Sequence, residues 1–176
     1  MADPSDSATY AAPAGTGIGH VHLRVADLDR AVAFYEGVLG FRVQVRLGDQ
    51  AAFLGAGMAD GSGVYHHHIG LNTWESRGGT PPPAGHSGLY HAAILYPSRA
   101  DLAGAVARVI GAGVRLTGAS DHGISEAVYL DDPDGNGLEL YRDRAPAEWP
   151  RDDAGGLAFT LRPLDVAALL RDEGAG

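Results

Sequence analysis

The stretch GIGHVHLRVADLDRAVAFYEGVLGF (residues 17–41) returns in outline as GLYHAAILYPSRADLAGAVARVIGAGV (residues 88–114). Each reads as a short strand carrying a histidine, then a turn, a helix and a glycine stop, at Gly40 in the first and Gly111–Gly113 in the second. Leu28, Val32, Tyr35 and Leu39 recur at helical spacing and make one apolar stripe; Leu102, Val106, Val109 and Ile110 do so in the second segment. Asp27 or Asp29 is placed to cap the first helix, and Ser98 or Asp101 the second. Glycine-broken strand material follows each helix: RVQVRL, AAFLGAG and VYHHHIGLNTW after the first, VRLTGAS, SEAVYLDDP and GLELYRD after the second. The pattern predicts an α+β fold of two β-α-β-β-β modules, over residues 17–74 and 88–143, joined by a Pro/Gly linker at 75–87. Residues 1–16 read as a flexible arm, and 144–176 as a tail with a short helix around Leu164–Arg171. A sheet with its own helix on one face must cover or use the other face, so pairing the modules is expected to leave a cleft.

Composition narrows the chemistry available to that cleft. The chain has 176 residues, 45% hydrophobic and 20% charged, which suits one globular domain or two small modules sharing a core. Cysteine is absent, which removes disulfides, thiolate metal sites and cysteine nucleophiles. All 13 basic residues are arginine, so lysine Schiff bases and P-loop phosphate binding are excluded too. A net charge of −9 and a pI near 5.2 argue against nucleic-acid partners. No apolar run approaches the roughly 20 residues of a membrane span. The acidic, small-residue start has no basic region followed by an apolar one, so a soluble, cytoplasmic protein is expected. Eight histidines remain, three of them consecutive.

Strand alternation sorts these histidines. Val21, Leu23 and Val25 suit the helix side of the opening strand, which sends His20 and His22 to the free face. By the same reasoning Ala92 and Ile94 pack inward and leave His91, Ala93 and Leu95 on the cleft face. Leu138 and Leu140 pair in the core, so Glu139 and Tyr141 point the other way. In YHHHIGLN, Ile69 and Leu71 take the core side, which puts His66, His68, Gly70 and Asn72 on the cleft side and leaves His67 structural. His20 and His68 are 48 residues apart, as are His91 and Glu139, so the repeat is read as matching His68 with Glu139. Two imidazoles and one carboxylate, His20, His91 and Glu139, form the facial set that suits Fe(II) with open positions; a fourth ligand, His68, would suit a more filled Lewis-acid site. Taken singly, each would pass as an ordinary strand residue; the matched spacing in both halves sets them apart.

The strings HVHLRVADLDRAVAFYEGVLGF, YHHHIGLNTW and YLDDPDGNGLELY resemble the vicinal oxygen chelate superfamily, which includes glyoxalase I, bleomycin- and fosfomycin-resistance proteins and extradiol dioxygenases. The likeness covers residues 17–149, and HHHIGLNTW with GASDHGISEAVYLDDPDGNGLELYRDRAPAEW resembles the catechol 2,3-dioxygenase-like members in particular. It implies metal ligands at His20, His91 and Glu139, an acid/base histidine at His68, a substrate-binding tyrosine at Tyr129, ten residues before Glu139, and a pocket histidine at His122. The implied reaction is ring cleavage of a catechol beside its two hydroxyls, with dioxygen, on Fe(II) or Mn(II). One departure is plain: many extradiol enzymes have four modules with the metal in the second pair, and this chain has two.

Two other classes compete with that expectation. A glyoxalase-type lyase or isomerase would use four ligands on Ni(II) or Zn(II), with an acidic or amide residue where His68 stands. A metal-free antibiotic-binding protein would leave His20, His91 and Glu139 idle. The expected partners are a small aromatic diol and dioxygen. Trp74 and Trp149 follow the last strand of each module, as caps on the pocket or packing against the neighbouring half. The tail lies either over the cleft or against a second subunit of a homodimer, and the sequence leaves both open.

Overall fold

A computed structural model describes residues 11–57, 65–83 and 85–173. Most of the expected N-terminal arm, Ala84 of the linker and residues 174–176 lie outside the described residues. Two mixed sheets with few helices repeat the same plan. The first contains β1 (Val21–Arg24), β2 (Arg42–Leu47), β3 (Ala51–Gly55) and β4 (Ile69–Asn72), in the order β1-β4-β3-β2. The second contains β5 (Ala92–Leu95), β6 (Leu116–Asp121), β7 (Ser125–Asp131), β8 (Gly137–Asp143) and a short β9 (Arg162–Pro163), in the order β5-β8-β7-β6-β9. The opening and closing strands of each module, β1 with β4 and β5 with β8, run parallel; the remaining neighbours are antiparallel.

Local chemistry explains the helices. α1 (Leu28–Val32) starts where the Asp27 carboxylate accepts the Arg30 N–H at 3.0 Å, and it widens into a π-helical run, Ala33–Val38. Gly40 then turns the chain with φ of 80°, a conformation costly for residues with a Cβ. α2 (Arg99–Gly111) starts at Ser98, whose hydroxyl accepts the Asp101 N–H at 3.1 Å. The first stripe is buried throughout. In the second, Leu102, Val106 and Val109 are buried, but Ile110 is 43% exposed: adjacent to Val109, it is carried about 100° round the helix and off the core.

One apolar core takes side chains from both modules, including Tyr35 and Leu39 from the first and Leu102, Val106 and Leu140 from the second. The polar bonds that join them lie beside it. Tyr35 donates its hydroxyl to Asp132 at 3.0 Å, the Ala26 N–H reaches Asp134 at 2.8 Å, and Arg108 donates to the Val38 carbonyl at 3.1 Å. The motif DPDGN makes this possible: Asp132 accepts the N–H groups of Asp134 and Asn136, both at 2.8 Å, and so presents Asp134 to the start of α1. The sheet faces turned from the helices are only partly covered. His22 on β1 and Ala93 on β5 are exposed, and Leu95, on the same strand as Ala93, is 54% exposed.

The tail is ordered against the second module. After a 3-10 turn (Pro146–Glu148), residues 149–161 run back to β6, β9 pairs Asp121 with Arg162, and α3 (Val166–Leu170) buries Leu169 in the common core. No helix among the described residues is long and apolar enough to cross a membrane.

Candidate metal centre

Three neighbouring strands assemble the second module's polar cluster. Glu139 on β8 sits opposite Ala93 on β5 and Tyr129 on β7. Because Ala93 is small, the carboxylate can lean towards His91, whose Nε2 lies 2.9 Å from Oε2. Its other oxygen, Oε1, accepts the Tyr129 hydroxyl at 3.2 Å. That same hydroxyl lies 3.2 Å from His122 Nε2, and His122 Nδ1 lies 3.2 Å from the Ser125 hydroxyl. A continuous polar chain thus runs Ser125, His122, Tyr129, Glu139, His91. Glu139 and His122 are buried, so the chain replaces the water they lost on folding. Burial and the Glu139 charge push the Tyr129 phenol up to about 12, so it stays protonated and can donate a hydrogen bond throughout the neutral range.

A buried ion cluster braces this half from beneath. Glu126 on β7 takes Arg99 at 2.9 Å, Arg142 at 2.8 Å and Arg144 at 3.2 Å. Arg99 also pairs with Asp172 and Arg144 with Asp121, which ties α2, β8, β6 and the tail to one strand. Nothing in the alternation of β7 marks Glu126 as buried, because both its neighbours, Ser125 and Ala127, are buried as well.

The first module is built differently. His20 is exposed, and its ring lies 4.5 Å from that of His67. His22 packs on Phe53 and Trp74, with ring centroids 5.6 Å and 5.5 Å away. His66 and His67 bring their Nδ1 atoms within 2.7 Å, so one must donate and the other accept. His68 is turned from the position that alternation assigns: its Nδ1 accepts the Ala56 N–H at 3.2 Å, and its ring lies near Phe41 and Tyr65. The reason is that β4 begins only at Ile69, so the two-residue period does not extend back through the run. His67, read from sequence as structural, is the one that joins His20. Burial, then neighbouring imidazoles, lower the pKa of His22, His67 and His68, which favours their neutral, metal-binding form.

Register also corrects the matching of the modules. Val21 pairs with Ile69, which sets His20 beside His68, whereas Ala92 pairs with Leu138 and Ala93 with Glu139. The counterpart of Glu139 is therefore Gly70, opposite His22, and not His68. Equal sequence separation misled because the two parallel pairs differ in register by two residues.

The three expected ligands lie apart accordingly. Two donors about 2.1 Å from one ion at right angles stand about 3 Å apart, so the 2.9 Å between His91 and Glu139 fits two adjacent ligands. His20 stands on the other sheet, and among the described residues no three His, Asp or Glu side chains converge on a point that could hold a metal ion. Sequence reading also missed Phe159, whose ring stacks on His122 with centroids 4.7 Å apart and planes 27° from parallel. Trp149 does not face the cluster: its Nε1 donates to the Arg144 carbonyl at 2.8 Å and fixes the start of the tail. Trp74 is 56% exposed.

Comparison with known proteins places this geometry. Residues 17–140 match the family model described as Glyoxalase/Bleomycin resistance protein/Dioxygenase superfamily. A catechol-2,3-dioxygenase of Bacillus subtilis (strain 168) is 39% identical over 160 residues, covering 90% of this chain and 53% of that protein, so the chain spans about half the relative's length. A glyoxalase/bleomycin resistance protein/dioxygenase domain from Frankia sp. EAN1pec superposes with a TM-score of 0.57 at 26% identity, over 73% of this chain and 98% of its own. A glyoxalase/dioxygenase from Nostoc punctiforme shares the fold at a TM-score of 0.59 and 20% identity, over 78% of this chain and 98% of its own.

Proposed function

As the chain belongs to the glyoxalase/bleomycin resistance protein/dioxygenase superfamily, we propose that it is an extradiol dioxygenase. It opens the ring of a catechol-type diol with dioxygen at a site completed by a second copy of the chain. The observation that carries this reading is the chain Ser125, His122, Tyr129, Glu139, His91, in which a paired imidazole and carboxylate adjoin a phenol held in its protonated form.

Fe(II) or Mn(II) held by His91, Glu139 and His20 would supply open positions for both diol oxygens and dioxygen, and would acidify the diol. Around it each side chain has a task. Tyr129 donates a hydrogen bond to the substrate oxygen and stabilises charge as the ring opens. His122 meets the far side of the same hydroxyl and keeps its proton aimed away from the imidazole, while Ser125 fixes the imidazole's orientation. A neutral imidazole of the first module takes the proton of the second diol hydroxyl and returns it later; His67, beside His20, is better placed for this than His68. Both atoms of dioxygen end in the product, so no other reductant is consumed.

The division of the expected ligands between two sheets is what supports a second copy. The second module's open face carries two of them and lacks the third, and the first module's open face carries that third. Joining unlike faces of two chains about a twofold axis makes two equal, complete sites. The relative's name supports the reaction, and the split geometry supports the assembly.

The test is anaerobic loading with Fe(II), followed by a catechol panel on an oxygen electrode. The expected result is one dioxygen consumed per diol, a yellow ring-opened product and bound iron. Metal binding without oxygen uptake on any catechol would overturn the reaction in favour of a lyase, and failure to bind metal would overturn it altogether.

A further inference from the structure

The tail does more than close the fold. Residues 149–161 form a strap docked on the end of β6. The Ala158 N–H donates to the Pro150 carbonyl at 2.9 Å, and the Thr160 N–H to the His122 carbonyl at 3.0 Å. Gly123 lets the strap approach: its φ is 79°, and a Cβ there would sit 2.9 Å from Pro150 Cγ and 3.1 Å from the Thr160 hydroxyl. Along the strap, Leu157, Phe159 and Leu161 are 49%, 59% and 75% exposed, and they alternate with the half-buried Ala158 and Thr160 at the period of an extended segment. Exposing three large apolar side chains in one row is costly unless something apolar covers them. The row is continuous with the polar cluster, since Phe159 lies face to face with His122.

We infer that the strap is the substrate-selecting wall of the site, with Phe159 as the specificity-determining residue, and that it favours diols bearing an apolar ring substituent over diols bearing a carboxylate. This rests on the catechol reading above. Arg144 beside the strap pairs with Asp121 and Glu126, Arg162 lies in register with Asp121 and helps to hold its carboxyl below the usual range against the effect of burial, and Arg151 stands opposite Leu157, at the end of the row away from Leu161. A substrate carboxylate held against the Phe159 ring would be desolvated by an apolar surface, which disfavours it. An apolar substituent gains contact instead, and contacts of this kind discriminate by roughly 10- to 200-fold.

The experiment measures anaerobic binding of 4-tert-butylcatechol and of 3,4-dihydroxybenzoate to the iron-loaded protein by calorimetry, and kcat/KM for both in air. The unaltered protein is expected to favour the apolar diol by about tenfold or more. Phe159→Ala should cut that ratio about fivefold with iron content and melting temperature unchanged, Phe159→Tyr should restore it, and Leu161→Ala should lower it less. Equal binding of the two diols, or a ratio indifferent to residue 159, overturns the inference even if oxygen uptake is normal. If no diol is turned over while the binding ratio still moves with residue 159, the wall stands and the dioxygenase reading falls.

Discussion

The two modules share a strand plan and an opening histidine, yet they fill the same sheet position in opposite ways. In the second, a small residue, Ala93, faces a large one, Glu139; in the first, His22 faces Gly70. A Cβ on Gly70 would lie 2.9 Å from the His22 ring, so the glycine is what lets that imidazole lie across the strand. One module thus presents a carboxylate wired into a polar chain and braced by Glu126, and the other presents a loose group of imidazoles. The two modules keep one frame, and under the proposed function each would be a half-site for the other.

The largest effect expected is loss of metal. Glu139→Ala and His91→Ala in one module, and His20→Ala in the other, should each weaken iron binding at least about 100-fold by metal analysis after dialysis. If His20→Ala retains iron as the parent does, the first module is no ligand donor and the division fails. Next, Tyr129→Phe should keep iron and lower kcat by about 10²-fold, because it removes the hydroxyl shared by Glu139 and His122. A third comparison stays within the histidine run: His67→Ala should cost more turnover than His68→Ala, by about tenfold in steady-state assays. The reverse order would restore the assignment drawn from strand alternation.

Two smaller effects probe stability. Gly70→Ala forces a methyl into the His22 ring and should cost about 1–3 kcal/mol in denaturant unfolding, which His22→Ala in the same chain should largely relieve. Beneath the second module, burial raises the Tyr96 phenol to about 12, opposed by Arg108, and among the described residues its hydroxyl has no hydrogen-bond partner. Below about pH 10 this tyrosine is protonated in folded and unfolded chains alike. Between there and about pH 12 the unfolded chain releases the proton first, so stability falls as pH rises through that window. Tyr96→Phe should therefore change the melting temperature little at pH 8 and soften its alkaline decline; Tyr35, raised further by burial and by Asp132, keeps part of the decline in place.

Much of the frame was legible because it is written locally. Asp27 and Ser98 cap as their side chains dictate, and the four-residue stripe from Leu28 to Leu39 is buried as its spacing requires. The side of the strand that Glu139 takes was legible from alternation along β8, whereas Tyr129 came with the family resemblance. It was misread where regularity stopped: alternation was extended through His66–His68, although the strand begins at Ile69. Equal separations of 48 residues concealed a register difference, which depends on how the parallel strands pair and not on chain length. Phe159 lies 37 residues beyond His122, and although Leu157, Phe159 and Leu161 alternate with smaller residues, only the folding back of the tail joins Phe159 to His122.

The divided site is tested most directly by mixing two inactive proteins. His20→Ala and His91→Ala chains, coexpressed or exchanged, should form mixed dimers in which one site carries both lesions and the other carries none. About a quarter of the parental iron-dependent activity should return, since half the dimers are mixed and each has one sound site. A mixed dimer verified by mass that stays as inactive as either parent, or an active iron-loaded monomer by light scattering, would contradict the shared centre.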